Sequence, residues 1–158
     1  MGLITNFKAN ENLIFGYHHQ QPFSKSSILI ENEIQSYSKK VMNDYDVRPQ
    51  APDLITSNFS GGNQQKIILS RELNKNPKVL LVGQPTRGVD IGAIEFIHQR
   101  LLDMRNKGVA ILLVSVELEE VLSLSDRIVV MFDGKIVGEK INQDVTDREI
   151  GLLMAGIS

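Results

Sequence analysis

One stretch of the chain, from Asn58 to Lys66, combines a serine, two glycines and several amides at the expected start of a helix. We expect Ser60 to cap this helix, because the first backbone N–H groups of a helix have no acceptor within it. Gly61 and Gly62 would let a bulky anion approach those groups, and the helix dipole favours negative charge there. The pattern therefore indicates a phosphate-binding helix start, with an ordinary capped helix as the alternative.

Apolar periodicity indicates the helices that position these residues. The helix that opens at residue 60 is expected to run to about residue 76. Before it, apolar residues recur at steps of four, three and four, which predicts another helix through Ile30, Ile34, Tyr37 and Val41. Further helices are predicted over residues 94–104, 117–124 and 146–155. The last of them has Thr146 and Glu149 in the spacing of a capping box.

Strands are predicted from short apolar runs at residues 79–82, 109–114 and 127–132. Asp133 and Gly134 predict a two-residue hairpin turn after the third run. The runs alternate with helices and are apolar on both faces, which is typical of an α/β fold with a parallel sheet covered by helices. No strand is predicted before residue 79, whereas a domain of this type usually begins with one. We therefore expect the second half of a domain.

Composition narrows the classes of function. The 158 residues are 42% apolar and include no cysteine, which excludes disulfides and thiolate metal sites. Seventeen basic and 19 acidic residues give a net charge of -2, so charge provides no case for nucleic acid or an anionic membrane as the main partner. The longest apolar runs are far shorter than the ~20 residues that span a bilayer.

In order and spacing, these motifs resemble those of the nucleotide-binding domain of ABC transporters. Ser60–Gln64 looks like the signature motif of that family, in its Ser-Gly-Gly-Asn-Gln form. Residues 79–84 look like the Walker B strand, 87–90 like the D-loop and 114–118 like the switch region. The variants Gly-Gly-Asn-Gln-Gln and Pro-Thr-Arg-Gly-Val-Asp are typical of the fused double-domain ATPases of sugar and nucleoside importers. Residues 84–98 and the segment Asp46-Val47-Arg48 are similar to the nucleoside branch.

This resemblance implies the C-terminal part of the second nucleotide-binding domain of such a protein. The implied fold is α/β, a partial P-loop-NTPase-like parallel sheet flanked by helices. A helical subdomain that carries the signature motif would occupy about residues 28–75. The Walker B strand, the D-loop, the switch region and the C-terminal strands would follow over about residues 76–158.

The same resemblance implies a role in nucleotide binding. Two such domains pair head to tail, so the signature motif would close over ATP and Mg²⁺ held by the other domain. The residues implied to bind ATP in this way are Ser60, Gly61, Gly62, Asn63, Gln64 and Asp90. Partners would be that second domain, the transmembrane permease subunits and, indirectly, an extracytoplasmic substrate-binding lipoprotein. The location would be the cytoplasmic face of the membrane. For Asp90, a plain cap of the following helix is the alternative.

The sequence departs from the working family pattern at the positions that perform hydrolysis. Gly83 and Gln84 stand where a competent Walker B strand has Asp-Glu, and Gln84 cannot act as a base at neutral pH. Glu117 occupies the switch position, usually His, and would repel a γ-phosphate. Gln84 as a turn amide and Glu117 as a helix-start residue are the alternatives. The phosphate loop G-x-x-x-x-G-K-[ST] is absent, so we expect no hydrolysis by this chain alone.

Three functions compete on these observations. The first is the ATP-binding part of a nucleoside importer, which the Gly83-Gln84 variant favours. The second is the same part of a ribose- or galactose-type sugar importer, because the signature motif and the D-loop do not separate the two. The third is an ABC-type ATPase that acts on ribosomes or DNA. It predicts a basic face and is opposed by the net charge of -2.

Overall fold

The computed structural model describes residues 2–157, which form two compact units. The first unit comprises the stretch that ends at Lys78 together with Thr86–Arg100. The second comprises Val79–Pro85 together with the stretch that begins at Leu101. The predicted subdomain division at about residue 76 stays a prediction. No helix among the described residues is long and apolar enough to cross a membrane.

Three helices organise the first unit: α1 (Ala9–Leu13), α2 (Glu31–Asp44) and α3 (Gly61–Leu73). The predicted helix through residues 30–41 is confirmed as α2, which buries Ile34, Val41 and Met42 on one face. The last two join a core cluster to which α1 and α3 also contribute, through Leu13 and Ile67. This core positions the start of α3, where the candidate phosphate site lies.

The expectation that no strand precedes residue 79 is wrong. Two strands of two residues each, β1 (Ser24–Lys25) and β2 (Ile28–Leu29), pair in an antiparallel hairpin. The residues between them, Ser26 and Ser27, have φ angles of 49° and 64°, which is the backbone of a tight hairpin turn. Sequence reasoning missed the hairpin because strands this short show no alternation of apolar and polar residues.

In the second unit, β3 (Val79–Gly83) and β4 (Ala110–Val114) pair in parallel, with Val79 opposite Ala110 and Gly83 opposite Val114. The helix α4 (Ile91–Asn106) lies between them in sequence. This confirms the predicted parallel pairing of the first two apolar runs.

Burial of these two strands differs from the expectation. One face of the pair is open to solvent, including Val79, Leu81, Leu112 and Val114, whose exposed fractions are 59–75%. On the other face, Leu80 is 8% exposed. Apolar runs predict burial on both sides, but they do not show whether a second layer is present. The expectation that helices cover both faces of this sheet is therefore wrong, because the described residues leave one face uncovered.

The remaining strands form an antiparallel hairpin rather than an extension of the parallel pair. Strands β5 (Arg127–Phe132) and β6 (Lys135–Ile141) meet at the predicted turn, where Asp133 and Gly134 have φ angles of 47° and 72°. Helices α5 (Leu118–Leu124) and α6 (Asp147–Met154) follow β4 and β6. Ile128, Val130 and Ile150 form the core here. The predicted capping box of Thr146 and Glu149 is confirmed at the start of α6.

Candidate phosphate-binding site

Ser60 is the N-cap of α3, as predicted. Its Oγ accepts hydrogen bonds from the backbone N–H of Asn63 at 3.4 Å and from the side-chain Nδ2 of Asn63 at 2.9 Å. Ser60 is exposed, and a hydroxyl oxygen has two acceptor positions. Because Asn63 fills both, the hydroxyl hydrogen of Ser60 can be donated outward, to an anion at the end of the helix.

Asn63 is itself held by a loop that precedes α3. Its Oδ1 accepts the backbone N–H of Arg48 at 2.7 Å. The loop is braced by Asp46, whose carboxylate contacts Arg48 Nε at 2.8 Å and Lys66 Nζ at 3.3 Å. Lys66 Nζ also donates to the backbone oxygen of Asp46 at 2.9 Å. Hydrogen bonds from Arg48 and Lys66 lower the pKa of the Asp46 carboxyl, so this carboxylate stays ionised.

Asp90 lies against the glycines of α3. Its Oδ1 accepts the backbone N–H of Ala93 at 2.9 Å, which makes it a cap of α4, the alternative that the sequence had left open. A Cβ atom built on Gly62 would lie 3.0 Å from the other carboxylate oxygen of Asp90. A Cβ on Gly61 would lie 3.1 Å from the backbone oxygen of Gly88. Gly88 and Asp90 are therefore packed against the start of α3.

Gln64 turns away from the end of the helix. Its Nε2 donates to the backbone oxygen of Phe59 at 2.9 Å, and its backbone N–H donates to the oxygen of Ser60 at 2.9 Å. These bonds secure the residue before the cap. In this arrangement Gln64 supports Ser60, and its predicted contact with ATP stays a prediction.

A shallow cleft of about 320 Å³ opens beside the start of α3. Its lining consists of Asp46, Arg48, Gly62, Asn63, Lys66, Asp90, Gly92 and Ala93. Two of the charged side chains are acidic and two are basic, so their formal charges cancel. Attraction for a phosphate in this half-site therefore depends on the Ser60 hydroxyl and on the free backbone N–H groups and dipole of α3.

The second unit holds the other predicted site residues. Gln84 follows β3 with a φ angle of 50°, and its backbone N–H donates to the oxygen of Val114 at 2.8 Å. Glu117 is the N-cap residue of α5 but makes no capping bond with its side chain. Its own N–H donates to Ser115 Oγ at 3.0 Å. Gln84 thus lies in a turn at the end of a strand and Glu117 at the start of a helix, which are the alternatives to a catalytic role that the sequence left open.

Gly83 ends β3 without any packing reason for a glycine. A Cβ atom at this position would meet nothing within 4 Å. The chain therefore has room for a carboxylate at the strand end, and the missing Walker B Asp is not excluded by crowding from the described residues. Among these residues, no group of three or more His, Cys, Asp and Glu side chains is placed to hold a metal ion.

Sequence reasoning missed the residues that surround the motif. Asp46 and Arg48, which lie well before the motif, contact Lys66 and Asn63 of α3. Ala93, which lies against Gly62, follows the motif by some thirty residues of chain. The segment Asp46-Val47-Arg48 is part of the family resemblance, and that was the signal available for it.

Proteins of named function align with nearly the whole of this chain. It is 45% identical over 157 residues to a guanosine import ATP-binding protein of Bacillus subtilis, covering 98% of this chain and 30% of that protein. It is 44% identical to a nucleoside import ATP-binding protein of Lactococcus lactis, covering 98% and 31%. A ribose import ATP-binding protein of Streptococcus agalactiae is 36% identical, covering 98% and 31%. The chain thus spans less than a third of each relative. No protein-family model matches it.

Solved structures agree on the fold. A nucleotide-free ATP-binding cassette from an ABC transporter aligns with a TM-score of 0.69 at 26% identity, covering 87% of this chain and 56% of that one. A dimeric cassette bound to ADP and Pi aligns with a TM-score of 0.69 at 24% identity, covering 89% and 59%. Motifs, site geometry and relatives thus agree, and this chain is similar to a segment of the ATP-binding proteins of ABC importers.

Proposed function

We propose that this chain supplies the signature motif that closes over ATP held by a second domain, in the ATP-binding protein of a nucleoside importer. The observation that carries the proposal is the Ser60 hydroxyl. It is exposed, it lies at the start of α3, and its acceptor positions are filled by Asn63. Its hydrogen is therefore available for an external acceptor, and a phosphate oxygen is the acceptor that a helix start favours.

The charges of the half-site support a role in completing a site rather than forming one alone. The side-chain charges around the cleft cancel, so phosphates would gain affinity here only from a few oriented donors. The Ser60 hydroxyl and the first N–H groups of α3 are such donors, and charge-assisted hydrogen bonds contribute roughly 1.5–3 kcal/mol each. Two or three of them suffice to favour closure onto ATP that is already bound elsewhere.

The second unit supports the expectation that hydrolytic groups come from the other domain. Gly83 has no side chain, Gln84 is an amide at a turn and Glu117 is exposed at a helix start. None of the three provides a general base together with a ligand for Mg²⁺. We propose Mg²⁺ only as the companion of ATP, held through the phosphates and the other domain. The isolated chain is expected to hydrolyse no ATP.

Nucleosides are the proposed cargo because relatives that import guanosine and nucleosides are 45% and 44% identical to this chain. A sugar importer is the second candidate, supported by the ribose relative at 36% identity. The proposed partners are a second cassette, as in the dimeric neighbour, and transmembrane permease subunits. A substrate-binding lipoprotein would act through the permease. The proposed place of work is the cytoplasmic face of the membrane.

The test replaces Ser60 by Asp in the assembled importer. Aspartate is as good an N-cap as serine, so the stability of α3 should be preserved. Its carboxylate would face the phosphates, and like charges about 4 Å apart cost roughly 4 kcal/mol at an effective dielectric of 20. ATP turnover should therefore fall more than about 100-fold.

Gln84→Asn is the matched control, because asparagine tolerates the positive φ at this position. It should change turnover only a few fold, since the base would belong to the other domain. Turnover that survives Ser60→Asp would refute the role of the signature motif. A Gln84→Asn variant as damaged as Ser60→Asp would show that this half takes part in the chemistry.

A further inference from the structure

We infer that Gly62 is a glycine because the start of α4 occupies the place of its side chain, and that this contact ties the D-loop segment to the signature helix. The inference rests on the proposed function and deepens it, since it names residues that position the phosphate-binding segment. It assigns Ala93 and Asp90 as positioning residues for α3.

The contact is tighter than ordinary packing allows for any residue but glycine. A Cβ atom on Gly62 would lie 2.9 Å from the Cβ of Ala93 and 3.0 Å from Oδ2 of Asp90. Gly62 is buried, whereas its neighbours Ser60 and Gly61 are exposed. The position that a Gly62 side chain would take therefore faces Ala93 and Asp90. Packing alone explains why residue 62 is a glycine, and the close approach of an anion is not needed as a reason.

The carboxylate of Asp90 joins the two segments. One oxygen holds the backbone N–H of Ala93 at 2.9 Å, and the other lies against Gly62. Next to it, the backbone oxygen of Gly88 lies where a Cβ on Gly61 would reach 3.1 Å. A shift of the start of α3 would therefore push on Gly88 and Asp90 together. Engagement of a phosphate by Ser60 and the position of the D-loop are coupled through this contact.

The experiment introduces Gly62→Ala and then relieves it with Ala93→Gly. In the 158-residue chain, Gly62→Ala should lower the urea midpoint of unfolding, and the double variant should recover most of that loss. The single variant Ala93→Gly corrects for the lower helix propensity of glycine. Gly151→Ala is the matched control, because Gly151 lies within α6 and an added Cβ there meets nothing within 4 Å. It should leave the midpoint unchanged or raise it.

The functional readout is ATP turnover of the assembled importer with the same variants. Gly62→Ala should lower kcat about tenfold or more with little change in KM, because small misplacements of positioning groups cost up to about 100-fold in rate. The double variant should restore kcat to within about threefold of Ala93→Gly. A general loss of folding would not show this split between kcat and KM or this rescue.

Two outcomes would overturn the inference. Gly62→Ala could leave both stability and turnover at the level of the unchanged protein, or Ala93→Gly could fail to restore either one. Loss of turnover without loss of stability would likewise overturn it, because the nucleotide, and not α4, would then require the glycine. Failure of the proposed function is distinguishable, because Ser60→Asp would then be active while the stability rescue at residues 62 and 93 would still occur.

Discussion

Replacing Lys66 by Met should loosen the loop that holds Asn63, at a cost that depends on pH. The Lys66 side chain is only 12% exposed, and its ammonium group donates to the backbone oxygen of Asp46 at 2.9 Å and to its carboxylate at 3.3 Å. It also lies 4.8 Å from the centre of the Phe96 ring. Methionine keeps most of the apolar stem and removes the charge and all three contacts.

The size of the effect follows from these contacts. A hydrogen bond from a charged group contributes about 1.5–3 kcal/mol, and a cation–π contact contributes about 0.5–1 kcal/mol. The ion pair adds little, since the Asp46 side chain is 55% exposed and such pairs contribute at most about 1 kcal/mol. The methionine side chain would also avoid the desolvation of a buried ammonium, which offsets part of the loss. The free energy of unfolding should therefore fall by about 2 kcal/mol at neutral pH.

The sign of the pH dependence follows from Asp46. Its pKa is lowered by Arg48 and Lys66, so the pairing stabilises the folded state above the ordinary pKa of Asp, about 3.9. That stability is lost as pH falls through the lower pKa of the folded state. The difference between the unchanged chain and Lys66→Met should accordingly narrow as the pH falls below about 4. The part due to the backbone oxygen of Asp46 should remain.

Urea unfolding at several pH values measures this difference. Lys40→Met is the matched control, because Lys40 pairs with Asp44 at 3.4 Å while 77% of the Lys40 side chain is exposed. It should change the free energy of unfolding by no more than about 0.5 kcal/mol. A Lys66→Met effect as small as that of the control, or one that grows at low pH, would refute the reasoning about this loop.

Three further predictions concern the second unit. The double change Gly83→Asp and Gln84→Glu should alter the free energy of unfolding by no more than about 0.5 kcal/mol, since the added Cβ at Gly83 meets nothing within 4 Å; urea titration checks this. Leu81→Lys should reduce the light scattering of concentrated chain without loss of stability, because Leu81 is 75% exposed, whereas Leu80→Lys should unfold it. Thr146→Ala should lower the free energy of unfolding by about 1 kcal/mol through loss of the cap, measured in urea.

Local patterns along the chain predicted most of the elements. Apolar residues spaced three and four positions apart correspond to α2, and short apolar runs correspond to β3, β4 and β5. The caps at Ser60 and Thr146 were also predictable, because a cap and its N–H partner are three residues apart. Such features depend on neighbours within one turn of helix, which a sequence shows directly.

Features that depend on distant partners were not predictable in this way. The reason for glycine at Gly62 lies in Ala93, and the orientation of Asn63 depends on the backbone of Arg48. The open face that includes Leu81 depends on which layers are present, and apolar residues alone do not show that. The family resemblance covered the motif residues as well as Arg48 and Ala93, but it did not show that the latter two hold the motif in place.

The arrangement of the site has a consequence for how it forms during folding. Its parts come from the loop at Asp46 and Arg48, from the start of α3 and from the start of α4, and the chain between them must be closed into loops. Ser60 caps the backbone N–H of Asn63 at the start of α3, and Asp90 caps that of Ala93 at the start of α4. The two helix starts pack on each other through Gly62. Local opening of either helix start removes support from both. Amide exchange at Asn63 and Ala93 should thus report one shared opening event, so the start of α3 and the start of α4 order together.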